Sequence, residues 1–139
     1  MKHFSVYAAL AATLLFPGAV SAHRTEIHET VTVAAEQAIA NVPGKRLVSL
    51  IVDYPPDARS VPHRHAGSAF IYAHVLSGEI RSQVNDGPMR VYRPGEGWFE
   101  NPGSHHRVSE NASKTEPARL LAVFIVDEGD DQLTTPDGH

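Results

Sequence analysis

Hydrophobic and polar residues alternate along most of the chain in short segments, a pattern typical of half-buried β-strands. The clearest segments are RLVSLIVDY at 46–54 and ARLLAVFIVD at 118–127, and the second is apolar enough to predict a central strand. Between them, shorter segments rich in β-branched and aromatic residues are separated by turns containing Gly, Pro, Asn and Asp. Strands this short, with turns every eight to twelve residues or so, predict a single all-β domain, either a sandwich or a barrel.

The segment before Pro43 is ambiguous. Residues 29–33 alternate like a strand, whereas AAEQAIA at 34–40 has helical propensity and is long enough for about two turns. Both readings stay open, and any helix is expected only in this part of the chain.

The first 22 residues have the features of a secretory signal. Lys2 supplies a positive charge, residues 4–16 are apolar, and small residues end at Ala22. The apolar run is too short to span a bilayer, so we expect a periplasmic or secreted protein without a membrane span in its mature form. The expected organisation is a signal peptide at 1–22, an N-terminal arm at 23–44, a barrel at 45–127 and a flexible acidic tail at 128–139.

Composition narrows the classes of partner. The 139-residue chain has a formal net charge of −4 and no cysteine. Because no basic stripe is available to neutralise phosphates, we expect no nucleic-acid partner. An exported chain without disulfides must draw its stability from a β core, aided by a metal or by a partner subunit. An open sheet edge favours pairing with a second copy, so a homodimer is a further expectation.

The sequence VPHRHAG contains two histidines, His63 and His65, that are one residue apart. Alternate side chains of a strand point to the same face, and Pro62 favours an extended backbone before it. A third imidazole is available at His105 or His106 in PGSHHRVS. Imidazole is a common ligand of transition metals, so this spacing predicts a metal site.

The segment around the histidine pair resembles the first motif of the cupin superfamily, G-x5-H-x-H-x3-4-E-x6-G. His63 and His65 match this motif, Gly78 stands one place later than its final glycine, and Asp57 stands where its leading glycine falls. The motif's glutamate is missing, and the region where it falls is occupied by residues 69–71.

The later segment resembles the second cupin motif, G-x5-P-x-G-x2-H-x3-N. Gly103 and His106 match it, and Pro102 and Asn111 each stand one place later than the pattern. The resemblance covers residues 45–127 and implies an all-β, cupin-type jelly-roll barrel, also called a double-stranded β-helix, in a single domain. It also implies a small-molecule ligand or substrate.

The same resemblance implies that His63, His65 and His106 are metal ligands, with His105 pointing away. The cofactor would be a divalent transition metal. Without the anionic oxygen of the glutamate, zinc, copper or nickel is expected more readily than iron or manganese.

Two residues are candidates for a catalytic role. Glu100 lies six residues before His106 and across a turn, within reach of the barrel mouth, and Tyr72, together with Gln83, is expected to line the cavity. Three functions follow: a metal-dependent oxygenase, isomerase or decarboxylase acting on a small molecule, a non-catalytic module that binds a metal or a small ligand, or a barrel that has lost its metal.

Overall fold

The computed structural model describes residues 25–138, and all regular structure in this range is β. The strands are β1 (Thr30–Ala38), β2 (Lys45–Tyr54), β3 (His63–His65), β4 (Phe70–Ser77), β5 (Ile80–Val84), β6 (Arg90–Tyr92), β7 (Gly97–Glu100), β8 (His105–Asn111), β9 (Ala118–Asp127) and β10 (Thr134–Pro136). Most of the segment that was ambiguous between strand and helix is therefore strand, as part of β1. The predicted signal peptide at 1–22 lies outside the described residues.

The ten strands form two five-stranded sheets. Sheet 1 has the order β1-β2-β9-β4-β7, and sheet 2 has the order β10-β3-β8-β5-β6. Neighbouring strands are antiparallel, and several neighbours, such as β2 and β9, are far apart in the sequence. This topology confirms the prediction of an all-β jelly roll. Within the described range, no helix is long and apolar enough to cross a membrane.

Sheet 1 supplies most of the hydrophobic core. Every second residue from Val48 to Tyr54 on β2 is buried, and so is every second residue from Ala118 to Val126 on β9. The same alternation buries Ile71, Ala73 and Val75 on β4. Each fully buried valine or isoleucine side chain contributes about 1.5–3 kcal/mol relative to an exposed one. The alternation seen in the sequence is thus the division between the inner and outer faces of the sheet.

Both ends of the described chain belong to the sheets. The expected N-terminal arm contains β1, which pairs with β2 along most of its length. The acidic tail was expected to be flexible, but Thr134–Pro136 forms β10 and pairs with β3. The physical reason is that β3 would otherwise leave backbone donors and acceptors unpaired at the edge of sheet 2. Further backbone bonds from Ala66 to Leu133 and from Asp137 to Pro62 hold the tail there.

Candidate metal centre

Sheet 2 aligns three histidines on its inner face. His63 and His65 flank the exposed Arg64 on β3, so both imidazoles face the interior. In the pairing of β3 with β8, His63 lies opposite His106, whereas Arg64 lies opposite His105. Residues opposite each other in a sheet share a face. The register therefore places His106 with the inward pair and His105 on the outer face.

The three inward imidazoles form a compact cluster. One nitrogen from each of His63, His65 and His106 lies within 4.8 Å of those from the other two. His65 and His106 are buried, and His63 is half-buried. His105 points away, and its Nε2 lies 2.8 Å from Oδ2 of Asp137. The structure thus brings together the three histidines named from the sequence; that they hold a metal stays a prediction.

Hydrogen bonds fix the orientation of two of the rings. Nδ1 of His63 lies 2.8 Å from the carbonyl oxygen of Val61. Because a carbonyl only accepts, Nδ1 carries the proton and Nε2 keeps its lone pair free for a ligand. Nε2 of His106 lies 2.9 Å from the Ser82 hydroxyl, which holds this ring from the neighbouring strand β5. Contacts of this kind orient the histidine ligands of metal sites.

Glu100 reaches the cluster from the opposite sheet. It ends β7, lies opposite Ile71 of β4, and is only 2% exposed. Its Oε2 is 2.6 Å from Nε2 of His65, and its Oε1 is 3.2 Å from Nδ1 of His106. The indole Nε1 of Trp98 donates a hydrogen bond to Oε1 at 3.0 Å. A carboxylate is therefore in contact with the cluster although the cupin motif glutamate is missing.

Several buried atoms at this contact have no hydrogen-bond partner among the described residues. They are Nδ1 and Nε2 of His65 and Oε2 of Glu100. Nε2 and Oε2 nevertheless lie 2.6 Å apart and can pair with each other. Buried polar atoms are rarely left unpaired, and either a proton shared by Nε2 and Oε2 or a cation bound by both atoms from one side would satisfy them. Imidazole nitrogens with one carboxylate are also a donor set that transition metals accept, so the residues fit a divalent metal.

The ionisation states of the histidines and of Glu100 also fit a divalent metal. Burial lowers the pKa of His63 below its usual value and lowers that of His106 to about 4. Burial also opposes the ionisation of Glu100, but the contact with His65, the nearby His106 and the Trp98 N–H outweigh it and lower the carboxyl pKa to about 2. Near neutral pH, His63 and His106 are therefore neutral and Glu100 is charged. These are the forms that bind a metal.

A cavity of about 670 Å³ opens beside the cluster, between the two sheets. His63, His65, His106 and Glu100 are part of its lining. The rest is mostly apolar, and segments near β1 and β10 also line it through residues 28, 29, 31, 131–134 and 136. A small organic molecule in this cavity would therefore contact the histidine cluster directly.

Tyr72 does not line this cavity, contrary to the expectation from sequence. It stands between Ile71 and Ala73, which both point inward, so strand alternation places Tyr72 on the outer face of sheet 1. There its hydroxyl lies 2.9 Å from Nδ1 of His74. Gln83 is likewise absent from the lining, and its side-chain amide donates to the Gly87 carbonyl.

Sequence reasoning missed the polar roles of Ser82 and Trp98. The spacing of Trp98 from Glu100 on one strand is the signal that could have found it, because residues two apart in a strand share a face. No sequence signal singles out Ser82, because its contact with His106 depends on how β5 pairs with β8.

A double-sheeted jelly roll with inward histidines on two adjacent strands defines a class of barrel, and comparison with known proteins identifies the family. Residues 50–124 match the family model of the cupin domain. Because the match covers more than half of the chain, the protein belongs to the cupin family. No curated protein sequence matches it.

Solved structures with the same fold support this assignment. A double-stranded β-helix protein from Klebsiella pneumoniae is 19% identical with a TM-score of 0.59, over 73% of this chain and 79% of that chain. An oxalate oxidase in complex with glycolate is 26% identical with a TM-score of 0.54, over 69% of this chain and 50% of its own. The cobalt(II) form of HppE in complex with Tris buffer is also 26% identical, with a TM-score of 0.52, over 69% of this chain and 52% of its own.

Proposed function

We propose that this protein is an exported cupin enzyme that holds one divalent transition metal and acts on a small organic molecule. The ligands would be His63, His65, His106 and Glu100. One observation carries the proposal: three imidazoles and a buried carboxylate converge at the wall of a cavity of about 670 Å³. This volume is in the range of pockets that bind small molecules, roughly 300–1,000 Å³.

The residues around the four donors have definable tasks. The Val61 carbonyl and the Ser82 hydroxyl hold two of the rings. Trp98 engages Oε1 of Glu100, which leaves Oε2 directed at His65. A bound divalent metal would supply Lewis-acid or oxygen-activating chemistry. The apolar cavity wall would exclude water from a bound substrate and orient it toward the donors.

Glu100 changes the expectation about metal identity. Zinc, copper or nickel was favoured because the motif glutamate is missing. Glu100 returns a hard anionic oxygen to the cluster. Iron and manganese therefore fit the donor set as well as zinc or nickel does. The similar HppE structure contains cobalt(II).

The alternative is a module that binds a metal or a ligand without turnover. One observation favours it: among residues 25–138, Glu100 is the only carboxylate in contact with the three histidines. A metal-bound Glu100 would leave no second carboxylate in contact with the histidines to act as a general base, although Glu29 and Asp131 also line the cavity. The third possibility from the sequence is a barrel that has lost its metal, and the direct 2.6 Å contact between Nε2 of His65 and Oε2 of Glu100 is compatible with it. Nδ1 of His65, which has no hydrogen-bond partner among the described residues, speaks against it.

Elemental analysis of protein purified from the exported fraction tests the proposal. We expect one divalent metal per chain, and loss of the metal after His63→Ala. Metal-dependent conversion in a screen of small organic molecules would distinguish the enzyme from the binding module. Protein that neither retains nor takes up any divalent metal would contradict both the enzyme and the metal-binding module.

Export has its own test. We propose cleavage after Ala22, on the basis of the charged, apolar and small-residue regions of the first 22 residues. Mass spectrometry of the exported protein should give a chain that begins at His23. An uncleaved chain confined to the cytoplasm would contradict this part of the proposal.

A further inference from the structure

The cavity beside the candidate metal centre has an apolar wall. Its inward residues on β2, β4 and β9 include Leu50, Val52, Ile71, Leu120, Ala122 and Phe124. A wall of this kind gains free energy by contacting apolar surface, about 25 cal/mol for each Å² removed from water. Together with a volume of about 670 Å³, it suits a ligand with a ring or a branched chain better than a two-carbon acid.

The lining contains no lysine or arginine among the residues that the structure describes. Its acidic members are Glu29, Glu100 and Asp131. A substrate carboxylate could therefore pair only with the metal, and every other fixed charge that it meets is negative. Burying a charge without a partner is unfavourable, so a second carboxylate on the same molecule would be strongly disfavoured.

The net charge of the proposed metal centre also disfavours a second carboxylate on the ligand. A divalent metal with an ionised Glu100 and neutral histidines has a net charge of about +1. That charge suits one oxygen donor, either neutral or singly deprotonated. It does not compensate a dianion.

The remaining polar lining is neutral. The Tyr54 hydroxyl lies 2.8 Å from Oγ of Ser60 and 2.7 Å from Oγ of Ser109, and all three side chains are buried. Burial raises the pKa of Tyr54 to about 12, so the phenol stays protonated. These hydroxyls can form hydrogen bonds with a ligand but cannot balance a negative charge.

We propose that the cavity takes an uncharged, mainly apolar molecule of ring size or larger that presents a single oxygen donor, as in a phenol, an alcohol or a ketone. This inference rests on the proposed metal site, because the oxygen is expected to approach the metal. It distinguishes the protein from the similar oxalate oxidase, whose structure holds the small acid glycolate.

The inference is tested by measuring the binding of small molecules to the zinc-loaded mature protein. Phenol and cyclohexanone would be compared with glycolate and succinate by ligand-observed NMR, with the metal content measured in the same samples. We expect the neutral pair to bind at least about tenfold more tightly than the acids, a difference of about 1.4 kcal/mol. Equal or tighter binding of the acids, or no binding of any probe, would overturn the inference. Failure to load zinc would instead count against the proposed function.

Two matched variants of β1 make the test sharper. Val31 lines the cavity, whereas Val33 is on the same strand, is 60% exposed and does not line it. Val31→Arg should add the missing cation and raise the affinity for glycolate a few-fold, and Val33→Arg should not. Equal effects of the two substitutions would show that cavity charge does not select the ligand.

A substitution in the apolar cavity wall tests whether the ligand packs against that wall. Ala122→Leu should weaken the binding of phenol while leaving zinc content unchanged, since Ala122 lines the cavity and is not among the proposed ligands. Its thermal unfolding would be measured to confirm that the barrel is folded. Unchanged phenol binding by the folded variant would contradict the assignment of this wall to the ligand.

Discussion

The two sheets contribute different halves of the candidate site. Sheet 2 provides the three histidines from the adjacent strands β3 and β8. Sheet 1 provides Glu100 and most of the apolar wall. The histidines are arranged by alternation and by the pairing of two neighbouring strands, whereas Glu100 meets them only because one sheet packs on the other. Local pattern therefore determines where the candidate nitrogen ligands lie, and tertiary packing determines where the candidate oxygen ligand lies.

Removing a histidine should have the largest effect. His106→Ala should lower metal affinity by at least about 100-fold, because loss of a ligand costs more than loss of the groups that orient it. Isothermal titration with zinc or manganese measures this. His105→Ala is the matched control: its side chain points outward to Asp137, so metal affinity should remain nearly unchanged. A large loss in the control would mean that the register of β3 and β8 has been misassigned.

The sheet 1 half is tested by Glu100→Gln, which keeps the size of the side chain and removes its charge. We expect metal affinity to fall by about 10- to 100-fold, and more for manganese and iron than for copper. Competition titrations with the three metals would show the change in preference. Glu110→Gln is the control, because Glu110 pairs with Arg81, away from the histidines. Equal losses for all metals would argue that Glu100 is not a ligand.

A smaller effect is expected from Trp98→Phe. Phenylalanine retains much of the packing but lacks the N–H that donates to Oε1 of Glu100. Metal affinity should fall by about tenfold, and the visible spectrum of the cobalt(II) form should shift because the carboxylate is held less firmly. Tyr92→Phe, which alters the ring packed against Trp98, should leave the spectrum unchanged. An unaltered spectrum in Trp98→Phe would show that the indole does not position Glu100.

The smallest effect is expected from mild acid on the metal-free protein. The pKa of His63 is lowered, and that of His106 is about 4 rather than 6.5. The unfolded chain therefore binds these protons at a higher pH than the folded chain. The thermal midpoint should stay level above about pH 6.5 and fall as the pH drops toward about 4.

Glu100 should add a second decline, at lower pH, to the dependence of the thermal midpoint on pH. Its pKa is lowered from 4.5 to about 2, so its contribution to the free energy of unfolding is present above about pH 4.5 and is lost as the pH falls toward 2. Glu100→Gln should keep the upper decline and lack the lower one. A variant that keeps both would show that the lower range belongs to other carboxyl groups.

The sequence was sufficient for the barrel and for the histidines. The alternation in 46–54 and 118–127 predicted two strands whose inner faces form much of the core, and the spacing of His63 and His65 predicted a shared face. Glu100 could be named only as a candidate, because its contact with His65 spans two sheets. The alternation that buries Ile71 places Tyr72 outside, and assigning the inward face of β4 requires knowing which face of sheet 1 packs against sheet 2.

The pairing of the tail with β3 was not predicted from the sequence. The acidic side chains of the tail suggested a solvent-exposed, flexible segment. Strand pairing, however, depends on backbone N–H and C=O groups, which are present whatever the side chains are. Strand β3 offers those groups at the edge of sheet 2, and Thr134–Pro136 takes them.

The pairing of Ile71 with Glu100 across β4 and β7 has a consequence for how barrels of this family are classified. The first-motif glutamate is expected in the region of Ala69 to Ile71, and its absence there would place this chain among barrels without a metal. A carboxylate on the neighbouring strand reaches the same histidines from a position that the motif does not include. Where the motif glutamate is missing, a sequence search could look for a carboxylate at the residue that pairs with its position on the neighbouring strand. The sequence Gly97-Trp98-Phe99-Glu100 offers a first pattern for such a search.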